Sequence, residues 1–164
     1  MGYIAFFTFL WYNIRYILYY RRKNMNCCFI GHADTPFELR SKLKETITDL
    51  ISQGTLNFYV GNNGNFDLLV QEVLTDMIKE GQPINLNVVL SYHNEEVIRA
   101  EQKFSLYPDG LENTPLRYAI SKRNDLLIKN SHILVTYVKH RFSNSHKWVD
   151  KAKKKGLKII NLAD

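Results

Sequence analysis

From residue 25 onward, apolar positions fall into two alternating patterns. Cys27–Ile30, Leu56–Val60, Leu86–Leu90, Ile133–Val138 and Lys158–Leu162 are short apolar runs, the form taken by strands buried on both faces. Between them lie stripes at helical spacing. Thr35-Pro36 opens one carrying Leu39, Leu43, Ile47, Leu50 and Ile51, which Gly54 stops. A second places Phe66, Leu69, Val70, Val73, Leu74 and Met77 at i, i+3, i+4, i+7, with Asn65 as the expected cap and Gly81 and Pro83 at its end. Pro115–Lys129 and Ser145–Lys155 complete the predicted helices. Residues 91–113 are polar and irregular, with a helix expected around Asn94–Lys103 and a turn at Tyr107-Pro108-Asp109-Gly110. Strands alternating with helices predict an α/β fold: a three-layer, Rossmann-like single domain with a mainly parallel sheet.

Residues 1–24 follow neither pattern. Tyr3–Tyr20 holds nine of the 21 aromatic residues and would span roughly 27 Å as a helix. Asn13 and Arg15 interrupt it, and an arginine near a helix centre costs about 2.5–3.5 kcal/mol on insertion scales. It lacks the basic n-region and small-residue cleavage site of a signal peptide. Three readings stand: an upstream extension outside the natural product, a membrane anchor that Arg21-Arg22-Lys23 would orient with the domain facing the cytoplasm, or a segment packed on the domain. Membrane contact is expected only through this segment, and otherwise the expected location is the cytoplasm.

The segment also changes how net charge is read. The chain carries +6, but four of its 22 basic residues and none of its 16 acids fall within residues 1–24. Residues 25–164 therefore carry +2, which disfavours nucleic acid as a partner. The lysines at 151, 153, 154, 155 and 158 read as a solvated helix face without interleaved aromatics. Cys27 and Cys28 are adjacent in a strand and point to opposite faces, which predicts reduced core residues. The histidines show no metal-ligand spacing with them, so neither a metal nor a cofactor is called for. G-x-S-x-G and G-x-x-x-x-G-K-[ST] are absent, against a serine hydrolase or a P-loop NTPase.

Ligands of parallel sheets bind beyond the carboxyl ends of the strands, where strand order reverses. The segments to weigh are thus Gly31–Asp34, Gly61–Asp67, Ser91–His93 and Lys139–Ser145. Gly61-Asn62-Asn63-Gly64 lies between a strand and an amphipathic helix, either a phosphate cradle at the helix N-terminus or a plain tight turn. Asp67 could accept from a ribose hydroxyl, pair with an arginine or face the helix dipole. On helix 115–129, Ile120, Arg123, Asn124 and Leu127 share one face. A partly buried Arg123 needs a carboxylate such as Asp67 or an anionic ligand, and Arg117 projects toward the same rim. His32, with Asp34 nearby, could donate to phosphate or act as acid or base.

Cys28-Phe-Ile-Gly-His32, Phe58-Tyr-Val-Gly-Asn-Asn-Gly-Asn-Phe-Asp67, Arg117-Tyr-Ala-Ile-Ser-Lys-Arg-Asn124 and Ile133-Leu-Val-Thr-Tyr-Val138 together resemble the small YpsA-like proteins of the SLOG superfamily, named for the DNA-processing protein Smf/DprA and the LOG enzymes. The resemblance runs from Met25 to Asp164. It implies a Rossmann-like fold binding a nucleotide or nucleotide-derived ligand at Gly61–Asp67, with Gly31, His32, Arg123, Asn124 and Thr136 around the pocket. LOG enzymes carry P-G-G-x-G-T-x-x-E after a later strand, and this chain does not. Close YpsA-like relatives often have a Gly pair after the strand that corresponds to Val135–Val138, where this chain reads His140-Arg-Phe-Ser-Asn-Ser-His146.

The leading expectation is binding or sensing of a nucleotide or nucleotide-derived ligand, with no catalytic motif that would make it an enzyme. The alternative is a nucleotide N-glycosidic hydrolase with His32 or Asp67 assisting water attack, and the third is single-stranded DNA binding. A homo-oligomer is compatible with all three.

Overall fold

A computed structural model describes residues 25–92 and 105–164. The expected aromatic extension at 1–24 and the expected helix 94–103 lie outside the described residues. The apolar runs form β1 (Met25–Gly31), β2 (Thr55–Val60), β3 (Asn85–Val89), β5 (Ile133–Tyr137) and β6 (Lys158–Asn161). A two-residue strand that the polar composition hid, β4 (Ser105–Leu106), adds an edge beside β3. The helices are α1 (Arg40–Ser52), α2 (Asn65–Lys79), α3 (Leu116–Lys129) and α4 (His146–Lys155).

Two boundaries differ from the sequence reading. Residues after Thr35-Pro36 first take a 3-10 turn, Phe37–Leu39, before α1 begins. At α2 the cap is Gly64 rather than Asn65, because the entry needs φ +90°, a conformation glycine takes without steric cost. Asn65 is the first helical residue, and its backbone N–H donates to Ala33 O at 2.9 Å.

Every strand pairing among the described residues is parallel, in the order β4-β3-β2-β1-β5-β6. The chain winds outward from β1 to β4, then crosses back to place β5 on the other side of β1. Strand order thus reverses between β1 and β5, where Ile30 lies beside Thr136 and Gly31 beside Tyr137. At such a point the loops after the two strands diverge to opposite faces and leave a crevice.

Each face of the sheet carries its own core. Phe29, Phe58, Val60, Leu86, Val88 and Val135 pack against α1 and α2, which contribute Leu43, Ile47, Leu50 and the full stripe of α2. Full burial of each such side chain is worth about 1.5–3 kcal/mol. Arg40 ties the two helices together, reaching Glu72 at 3.0 Å and Asp76 at 2.6 Å. The opposite face holds Cys28, Ile30, Val89 and Leu134 under Leu127 and Ile128 of α3 and Trp148, Val149 and Ala152 of α4. Cys27 and Cys28 are free thiols in opposite cores, as strand alternation requires.

Candidate functional site

The crevice between β1 and β5 opens into a cleft of about 220 Å³. Gly31 and Ala33 of the loop after β1 form one wall with Asn63 and Asp67 of the β2–α2 connection. Ile120, Ser121, Arg123 and Asn124 of α3 form another, and Asn144, Ser145, Lys147 and Trp148 at the start of α4 close the third side.

Its floor is an ion pair. Arg123 is 3% exposed and Asp67 is 5% exposed, with Arg123 Nη1 3.3 Å from Asp67 Oδ2. Arg123 Nη2 donates to Asn63 Oδ1 at 3.3 Å, and Ser91 Oγ donates to the same oxygen at 2.9 Å. The Asn63 backbone N–H donates to Asp67 Oδ2 at 3.0 Å. Arg123 Nε is buried without a partner. Burial pushes the Asp67 carboxyl up, and Arg123 with the Asn63 N–H pulls it part of the way back.

The glycines of the predicted cradle owe their identity to this arrangement. Gly61 has no positive φ; what it supplies is space. A Cβ there would lie 1.1 Å from Arg123 Nη1 and 2.4 Å from Asp67 Oδ2, so the guanidinium rests directly on the Gly61 backbone. Gln71 Nε2 holds the same residue by its carbonyl at 2.6 Å. Gly64 lets the loop close on Ala33, whose Cα would be 2.8 Å from an added Cβ, and Gly31 leaves room for the Phe66 ring at 2.4 Å. The Gly61–Gly64 turn is therefore filled on its inner side by the chain's own arginine, and any ligand meets it from the cleft.

The remaining sequence candidates divide clearly. Gly31, Asn63, Asp67, Arg123 and Asn124 converge on the cleft. Gly61 and Gly64 lie behind it as packing positions, and Asn62 Oδ1 is buried beside them without a partner. Thr136 is fully buried, and its hydroxyl donates to Ile30 O, tying β5 to β1 beneath the cleft. Arg117 is exposed, with its guanidinium 4.7 Å from the Tyr118 ring centroid. Asp34 is exposed and outside the cleft lining.

His32 turns toward the β5–α4 loop. Its Nε2 accepts the Lys139 backbone N–H at 3.1 Å, and its ring lies edge-on to Tyr137. Burial lowers its pKa, Asp34 opposes that shift, and His140 and Lys139 reinforce it. An imidazole whose Nε2 is already an acceptor acts here as a staple between two loops. Ser145 makes a second staple, its Oγ donating to Gly31 O at 3.0 Å. It sits at the N-cap of α4 but makes no side-chain capping bond.

Sequence reasoning passed over Ser121, Lys147 and Trp148 as cleft residues, and Ser91 as the support of Asn63. Lys147 and Trp148 read as part of an ordinary amphipathic helix. Only the packing of α4 beside α3, with Lys147 Nζ 5.1 Å from the Trp148 ring centroid, brings them to the rim. Among the described residues, no group of three or more His, Cys, Asp or Glu is placed to hold a metal ion.

No protein-family description matches this chain, and no curated protein matches it. Among solved structures, the fold is similar to that of DNA processing protein A (DprA) from Streptococcus pneumoniae. The TM-score is 0.60 at 12% identity over 84% of this chain. The chain spans about half of that protein, matching 50% of its length. The likeness concerns the architecture: one α/β domain around a parallel, Rossmann-like sheet.

Proposed function

We propose that the protein binds a nucleotide or nucleotide-derived small molecule in the cleft between β1 and β5. The observation that carries this reading is the Arg123–Asp67 pair, buried at the strand-order reversal and floored by Gly61, with Arg123 Nε left without a partner. A buried charged pair is costly to assemble. At the floor of a polar cleft it holds a cation and a carboxylate side by side, with Arg123 Nε still without a partner. At about 220 Å³ the cleft is smaller than the roughly 300–1,000 Å³ of pockets that engulf a drug-sized molecule. It suits a sugar–phosphate group, with the base left at the mouth beside Ile120.

Polarity divides along the cleft. The floor is nearly neutral overall, since Arg123 and Asp67 offset each other, and it matches ribose hydroxyls. Lys147 and the start of α4 supply the positive end for phosphate. Binding fits this arrangement better than hydrolysis. Asp67 Oδ2 already accepts from Arg123 and Asn63, and the His32 Nε2 lone pair is spent on Lys139. His32 thus has no lone pair left for a water, and Asp67 keeps only Oδ1.

The test is thermal unfolding of the full chain against nucleoside mono-, di- and triphosphates, ADP-ribose and NAD. A ligand at about 100 times its Kd adds roughly 2.7 kcal/mol, or about 5–10 °C for a chain of this size. Ser121→Phe, at a half-buried position lining the cleft, is expected to abolish the shift while the protein stays folded. No shift with any of these compounds from a folded sample would refute the proposal.

A further inference from the structure

The β5–α4 loop separates the cleft from a second hollow of about 400 Å³ at the carboxyl ends of β5 and β6. Its apolar lining is Val138, Val149 and Ile159. Lys139, His140 and Arg141 come from the loop, while His146 and Lys153 come from α4, where a spacing of seven residues puts them on one face. One carboxylate, Asp164, lines the hollow, and Asn161 Nδ2 donates to it at 3.0 Å.

Other lysines nearby are engaged in holding the fold. Lys151 pairs with Asp125 at 2.5 Å, Lys155 donates to the last carbonyls of α3, and Lys42 reaches the carbonyls of Leu162 and Asp164. Among the described residues, Arg141 and Lys153 have neither a carboxylate nor a carbonyl partner. Lys139 lies over the Tyr137 ring, 5.3 Å from its centroid. Three full positive charges and two imidazoles thus face a hollow whose lining holds one acidic side chain, with Asp150 3.6 Å from His146 and Asp34 near Lys139. That arrangement adds repulsion to the folded state, and for Arg141 and Lys153 no ion pair among the described residues offsets it. An anion would reverse the sign of that energy.

We propose that this hollow is a second anion site, separate from the cleft, for a small molecule carrying a pyrophosphate group. The excess of positive over negative side chains matches a multiply charged anion. The volume exceeds what one phosphate fills, and an arginine fork is suited to phosphate oxygens. The rigid floor supports the site: Asn161 Oδ1 accepts the Val138 N–H at 3.0 Å and Asn161 Nδ2 donates to Val138 O at 3.1 Å, pinning β6 to the end of β5.

The probe is inorganic pyrophosphate, titrated calorimetrically into the full chain at low and high salt. Wild type is expected to bind, more weakly as salt rises. Arg141→Gln with Lys153→Gln is expected to weaken binding by at least on the order of tenfold. Lys154→Gln removes one charge from the same helix at a position that does not line the hollow, and is expected to leave binding within about twofold at high salt, where only direct contacts with the anion escape screening. Competition by ADP would identify the ligand as an organic diphosphate, and its absence an inorganic one; both support the site. Equal losses in the Lys154 variant and the double variant, or no pyrophosphate binding by folded wild type, would overturn it. So would a single-stranded oligonucleotide that binds through Arg141 and Lys153 while pyrophosphate does not.

Discussion

Replacing Gly61 with alanine separates two accounts of the turn after β2. Gly61 does not have a positive φ, so the backbone alone predicts that alanine is tolerated and stabilises by about 0.4–1 kcal/mol through the unfolded state. The structure predicts the opposite sign. The new Cβ would lie 1.1 Å from Arg123 Nη1 and 2.2 Å from Cζ, so the guanidinium must leave. Asp67, 5% exposed, then loses its cation. Breaking a buried ion pair costs about 3–5 kcal/mol, because one charge is left uncompensated. For a chain of this size that is a fall in Tm of about 6–20 °C. Equilibrium urea unfolding and a thermal melt measure it directly. The control is the same substitution in an Asp67→Asn/Arg123→Met background, where the guanidinium is gone and most of the cost should vanish. A neutral or stabilising Gly61→Ala, or an equal cost in both backgrounds, would show that the glycine does not serve the ion pair.

Two further outcomes follow from the same geometry. His32 is depressed from its ordinary value of 6.5, so its contribution to stability is complete above that pH. The contribution is lost as pH falls through the lower folded-state value, because the unfolded chain takes up the proton first. Stability measured between about pH 7 and pH 5 should therefore fall more in wild type than in His32→Gln, and parallel curves would contradict the staple to Lys139. The two cysteines should be inert in the folded protein. Burial pushes Cys28 up to about 12 and raises Cys27 well above its ordinary value, so a thiol reagent at mild alkaline pH should label neither until denaturant is added. Rapid labelling under native conditions would refute their placement in the two cores.

Much of the architecture is legible in the sequence alone. Five of the six described strands, and the four helices with their apolar stripes, follow from runs and periodicities that survive in isolation. β4 did not show, because a two-residue edge strand in a polar stretch carries no period to detect. The sequence points to a cap at Asn65, one residue late, since asparagine is a good cap in general but only glycine suits φ +90° at position 64. Arg123 and Asn124 stood out as polar residues on an apolar stripe, and Asp67 as a named partner for Arg123; both were local anomalies. Arg117 was placed at the same rim by helical spacing, yet its side chain folds over Tyr118 instead.

By itself, then, the sequence determined the alternation of strand and helix, the two-faced parallel sheet, and the residues at its carboxyl ends, because backbone periodicity and turn chemistry act over neighbouring positions. It also marked which polar side chains would need partners. The tertiary structure alone decided how those needs were met. It set Arg123 on Gly61 across 62 residues of chain, turned His32 toward Lys139 and away from the cleft, and gathered the unpaired cations beside β6. Those outcomes depend on which surfaces meet when α3 and α4 pack on the sheet, and contacts between distant segments leave no period along the chain to be read.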